Sequence, residues 1–201
     1  MKDTDSKKLE VLYDHYKDTS LQVIELNKYR ERLFVYVLAI IFLQFVQISF
    51  STKFVDLSNA LLQKQIGINF ELGQELLNGF LWFLLFSISF RYFQNNVLVN
   101  RLYSYLHKLE EKMGKLASDS NFITREGKNY LNGYPAFSDW AHFVYTWLFP
   151  LLLLTVASIR MFFCRFFDNQ SPLSLHIGGF FLLTIYISTI LYMVAVHQKS
   201  K

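Results

Sequence analysis

One cysteine, three prolines and eight glycines are all that 201 residues hold of the types that staple, stop or loosen a chain. Cys164 has no second cysteine to pair with, so an intramolecular disulfide framework is excluded. HExxH, GxxxxGK[ST] and GxGxxG are missing, which removes the usual zinc-hydrolase, P-loop and dinucleotide readings. The five histidines (His15, His107, His142, His176, His197) are scattered, and no nucleophile stands with a base and an orienting group. Asp139 and His142 are one turn apart, where helix capping is the simpler role. Neither an enzyme, a metal nor a resident cofactor is expected, and nothing suggests a duplex-DNA partner.

Charge is also missing from long stretches. Residues 33–52, 140–159 and 177–196 each run for 20 positions without Lys, Arg, Asp or Glu. A helix crosses the hydrocarbon core in about 20 residues. The run 76–90 is shorter, but Arg91 can snorkel and Tyr92 and Phe93 extend its apolar body. A soluble domain of this size has too little interior for four helices that are apolar all round. The expected fold is therefore all-α, a polytopic membrane protein with four spans. The divisions are an amphipathic N-terminal helix at 1–32, spans at 33–52, 76–93, 140–160 and 177–197, connections at 53–75, 94–139 and 161–176, and a tail at 198–201. The polar segment 1–32 lacks the pattern of a removable signal peptide.

Cations set the expected orientation. Seven Lys or Arg lie in 1–32, seven in 91–139 and two in the tail, against Lys53, Lys64, Arg160 and Arg165 in the other connections. By the positive-inside rule both termini and the central connection are cytosolic. Trp82, Trp140, Trp147, Tyr92 and Tyr145 include candidate interface anchors.

Residues 5–32 contain no Gly or Pro and read as a helix. Leu12, Tyr16, Thr19, Val23 and Leu26 recur at alternating spacings of four and three, a narrow coiled-coil seam that needs a partner. Val99, Leu102, Leu106, Leu109, Met113 and Leu116 repeat that spacing, so the second span should continue into the cytosol as the partner helix. Lys108, Lys112 and Lys115 form a cationic strip beside it.

The loop "NFITREGKNYLNGYP" (121–135) is polar and turn-rich. Arg125 and Lys128 flank Gly127, and cations beside a glycine suit phosphate oxygens. A positive-inside connector explains the same residues. Within the first span Tyr36, Gln44, Gln47 and Ser51 fall inside an arc of roughly 80°. Glutamines there must find helix partners or water. Four helices cannot enclose a useful pore alone, so a pore-lining role for this face requires an oligomer.

The strings "LYDHYKDT" (12–19), "YRERLF" (29–34) and "ITREGKNYLNGYP" (123–135) resemble small bacterial membrane proteins encoded beside a nucleotidyltransferase in antiphage systems, the Hailong-type pore-forming effectors. Four-span proteins of other phage-defence systems share the outline. The resemblance implies a homotetrameric ion channel of the bacterial inner membrane. It also implies a short oligoadenylate from the partner enzyme that holds the channel shut, its loss arresting or killing the infected cell. In such a device Arg125, Lys128 and the strip Lys108, Lys112 and Lys115 would meet phosphates, and Tyr130 or Tyr134 would stack on bases. The seam of N-terminal helices would gather on the symmetry axis as a plug. Phe34, Ile41 and Phe45 would supply a dewetting gate. That face lies roughly 120° from the glutamines, so the first span would have to rotate on gating. The competing expectation is a non-conducting membrane sensor or scaffold whose helices recruit a cytosolic protein.

Overall fold

The computed structural model describes residues 3–67, 72–118, 140, 143–166 and 171–197. The described residues are all-helical, and four helices are long and apolar enough to cross a membrane. Helix α1 is Asp3–Ser49, α2 is Ser51–Ile66 and α3 is Gln74–Ala117. A π-helical turn, Val144–Leu148, leads into α4, Phe149–Phe166, and α5 is Pro172–His197.

Local chemistry accounts for these bounds. Over its 47 residues α1 contains neither Gly nor Pro, so the expected N-terminal helix and first span are one rod about 70 Å long. It stops where Phe50 leaves helical geometry at φ −138°, ψ 47°. Gly67, at φ 71°, closes α2 by donating its N–H to the Gln63 carbonyl at 3.0 Å. Ser171 accepts the Ser174 N–H at 3.3 Å, and Pro172 occupies the first position of α5. The fourth apolar helix thus starts five residues before the expected 177. Pro150 has no N–H to offer, and the chain meets this loss in a π turn, with the Phe149 N–H reaching Val144. Helix α2 starts in the last two residues of the expected first span (33–52) and otherwise lies in the stretch expected as a mere connection (53–75). Its signal there is weak, because 16 residues with two lysines and an aspartate resemble a polar linker.

The long helices alternate in direction. Contacts pair residue 16 with 110, 30 with 96 and 26 with 95, so α1 and α3 run antiparallel. Phe34 packs on Phe149 and the Gln44 carbonyl meets Arg160, which sets α4 parallel to α1; Phe93 stacks on Tyr192 and Asn78 bonds Ser174, which sets α5 parallel to α3. The apolar core combines Leu33, Val37, Ile40 and Ile41 of α1 with Trp82, Leu85, Tyr92 and Phe93 of α3, Phe149, Leu153 and Ala157 of α4, and Ile185 and Tyr192 of α5. Trp82 and Tyr92, expected among the interface anchors, are enclosed in this core. Beyond it, among the described residues, only α1 and α3 continue, as a two-helix stalk with its own cluster: Tyr16, Val23, Leu106, Leu109 and Met113.

Bundle and stalk share one seam. Tyr16, Val23, Arg30, Val37 and Gln44 are spaced by seven on α1, with Leu12, Thr19, Leu26, Leu33, Ile40 and Gln47 at the alternate positions. On α3 the buried residues Asn78, Leu85, Tyr92, Val99, Leu106 and Met113 are likewise spaced by seven. A strict seven-residue repeat keeps two helices facing each other along a shallow left-handed supercoil. The α1–α3 pair is thus a single continuous coil that enters the four-helix bundle without interruption.

Candidate functional site

At the end of the bundle away from the stalk, α4 carries Phe149, Leu153, Ala157 and Arg160 on one inward stripe. Arg160 is only 1% exposed. A guanidinium stays charged at any accessible pH, and removing it from water costs several kcal/mol unless acceptors surround it. Three of the other helices contribute to that environment. Nη1 donates to the Gln44 carbonyl at 2.8 Å, and Nη2 donates to Gln47 Oε1 at 2.8 Å and to Asn78 Oδ1. The Trp82 ring lies against the guanidinium at 5.6 Å from its centroid. Asn78 in turn donates to Ser174 Oγ at 2.8 Å. All four long helices are therefore tied through one charged group.

The knot is not fully satisfied. The Gln44 side-chain amide and Gln47 Nε2 are buried without a hydrogen-bond partner among the described residues. An unpaired buried amide costs about 1–3 kcal/mol. This cost lowers the barrier to any arrangement in which the two glutamines turn toward another polar surface.

A second polar layer marks the junction of bundle and stalk. Arg30 donates to Asn96 Oδ1 at 3.3 Å and lies 5.3 Å from the Tyr145 ring centroid. Asn96 donates to the Tyr192 hydroxyl at 2.9 Å, and Asn95 to the Leu26 carbonyl at 2.9 Å. The Tyr92 hydroxyl reaches the Tyr145 carbonyl at 3.4 Å. One further turn into the stalk, Asn27 donates to the Tyr103 hydroxyl at 3.3 Å. Far along the stalk the Tyr16 hydroxyl donates to Glu110 at 3.0 Å. Polar layers in an otherwise apolar seam fix its register, since sliding by one turn would leave each of them unpaired.

The residues expected to line a pore do not form one surface. Tyr36 is 51% exposed on the outside of α1, whereas Gln44 and Gln47 face inward against Arg160. Ser51 lies past the break at Phe50, as the first residue of α2. The gate triad is divided as well. Phe34 packs on Tyr145 and Phe149, Ile41 is in the core, and Phe45 faces outward. The seam of Leu12, Tyr16 and Val23 is covered by α3 of the same chain, and Thr19 and Leu26 are half-buried along it. Lys108, Lys112 and Lys115 are exposed on the outer face of α3, with Lys115 bonded to Glu111 at 2.6 Å. Arg125, Lys128, Tyr130 and Tyr134 lie outside the described residues.

Two residues escaped the sequence reading. Arg160, expected among the cations of the connection after the third span, is instead enclosed in the bundle. The available signal was its place three residues after Ala157 on the stripe Phe149, Leu153, Ala157. Asn78 is not among the candidate residues read from the sequence, although it stands seven residues before Leu85. With Arg160 in the bundle, the connections expected to be poor in cations hold three, Lys53, Lys64 and Arg165.

No family model matches the chain, and neither does any curated protein or solved structure.

Proposed function

We propose that this protein is a homo-oligomeric membrane channel whose stalk receives a cytosolic signal and whose Arg160 knot latches the conducting path shut. One observation carries the reading: α1 and α3 run unbroken from the stalk to the two sides of the knot, Gln44 and Gln47 on one and Asn78 on the other. A rotation or slide begun at Tyr16 and Glu110 is delivered to the acceptors of Arg160, because packed helices with paired polar layers move as rods. In the latched arrangement the glutamines are held inside each protomer. Rotating α1 away from Arg160 presents them to the axis of an oligomer, where water satisfies their amides. The resemblance to the antiphage effectors adds the inner membrane, a tetramer and an oligoadenylate that favours the latched state. The cation bias adds cytosolic termini. Such a ligand gates only if it binds one state more tightly than the other.

Reconstituted vesicles test the reading. Ion flux should appear in the absence of ligand, fall on addition of short oligoadenylates and rise when Asn78→Leu loosens the latch. Gln44→Leu with Gln47→Leu should change the conductance sharply. Vesicles that stay tight to ions under all these conditions rule the channel out.

The exposed Val11, Tyr13, Leu21 and Ile24 of the stalk favour a second reading, a membrane-anchored scaffold. It predicts a cytosolic protein that binds through the stalk with no ion flux.

A further inference from the structure

Helix α2 presents an apolar stripe that the rest of the chain leaves uncovered. Phe50, Leu57 and Leu61 are 59%, 58% and 51% exposed. At about 100° per residue Leu57 and Leu61 span an arc of about 40° on the helix, and Phe50 stands at its start. Beside one edge of that arc stand Lys53 and Lys64, both exposed. Beyond its other edge lies the half-buried sector of Val55, Ser58, Asn59 and Leu62, where Asn59 is bonded to the Leu72 N–H at 2.8 Å. Exposed Thr52, Asp56, Ala60 and Gln63 occupy the far side, and half-buried Phe54 and exposed Gln65 stand between the stripe and the packed sector. Around its axis, therefore, the helix has an apolar sector, a protein-packed sector and a polar sector, with the lysines between the apolar and polar ones.

Position within the fold identifies what covers the stripe. Helix α2 follows the membrane-crossing α1 after one non-helical residue, Phe50, and its end is followed by the start of membrane-crossing α3. The apolar sector thus stands in the chain directly between two helices apolar enough to cross a membrane. A lysine stem lies along apolar surface while its ammonium reaches phosphate, so Lys53 and Lys64 sit where anionic headgroups would meet them.

We propose that α2 is an in-plane interfacial helix, with Phe50, Leu57 and Leu61 seated in the acyl–headgroup boundary and Lys53 and Lys64 on phospholipid phosphates. It thereby fixes the depth of the far ends of α1 and α3. The inference rests on the chain crossing a bilayer and not on conduction.

Depth measurement tests it. In the full chain with Cys164→Ser, nitroxides are attached to single cysteines introduced as Leu57→Cys, Leu61→Cys, Thr52→Cys or Asp56→Cys. The protein is reconstituted in phosphatidylcholine vesicles with and without phosphatidylglycerol. Labels at 57 and 61 should lie roughly 5–10 Å below the headgroups, with those at 52 and 56 in water. Phosphatidylglycerol should deepen the label at 57, and Lys53→Gln with Lys64→Gln should abolish that response. Equal access of a water-soluble relaxant to all four positions would overturn the proposal. So would spin–spin broadening at 57 and 61 that vanishes on dilution with unlabelled protein, because a second copy would then cover the stripe. Ion-tight vesicles would end the channel reading and leave this measurement unaffected.

Discussion

Arg30 and Arg160 are the same residue in two regions of one bundle, and their surroundings differ. Arg30 stands where bundle meets stalk, half-buried, with one amide acceptor and an aromatic face. Arg160 is sealed in at the other end, with acceptors from α1 and α3 and an indole beside it. A boundary arginine retains part of its hydration and can shift its head toward solvent at little cost. An enclosed one depends wholly on its protein acceptors. On the proposed channel reading, the first layer sets register and the second is the latch.

The most severe way to break this comparison is to strand the enclosed charge. Asn78→Leu removes an acceptor of Arg160 and the donor to Ser174, and should cost about 3–5 kcal/mol in reversible unfolding from mixed micelles. Arg160→Met should cost less, about 2–3 kcal/mol, because it leaves neutral amides rather than a charge unpaired. Combining Arg160→Met, Asn78→Leu and Gln47→Leu should recover most of either loss. A triple variant as unstable as the sum of its parts would show that the three do not act as one network. At the boundary, Arg30→Gln should lower stability by about 1 kcal/mol under the same unfolding assay. A loss larger than that of Arg160→Met would invert the comparison. Lys115→Ala, which opens an exposed pair with Glu111 on the stalk surface, should change stability by no more than about 0.5 kcal/mol, and added salt should erase even that.

Much of the fold is legible before any coordinates. Charge-free runs at 33–52, 140–159 and 177–196 mark helices apolar enough to cross a membrane, because hydrocarbon tolerates neither charge nor unpaired backbone. The stalk is legible too, since Leu12, Tyr16 and Thr19 repeat at the spacing of Leu102, Leu106 and Leu109. What hid the continuity of the seam was a boundary drawn at residue 32, where hydropathy changes but the seven-residue repeat does not. The polar face of the first span was misjudged for a related reason. Gln44 and Gln47 were grouped with Tyr36 and Ser51 by polarity, whereas they continue the stripe of Leu33, Val37 and Ile40. Within a membrane, polarity marks the interior of the protein as readily as it marks a water-filled path. Helix α2 was obscured by its lysines, which look like a linker when the apolar stripe beside them is not projected onto a wheel.

By itself the sequence determined that the chain is helical, that four helices are apolar enough to cross a bilayer, and that the first and third elements share a seven-residue repeat. These are properties of local composition and spacing, and each segment carries them wherever it is placed. Only the tertiary structure decided that Arg160 is enclosed, and that Gln44, Gln47, Asn78 and Ser174 are its network. Those five come from four helices and are spread over 130 residues of chain, from 44 to 174. A charge three residues past a buried alanine faces inward or outward according to what the other helices offer it. Here the other helices place amide acceptors against it, and Arg160 stays inside.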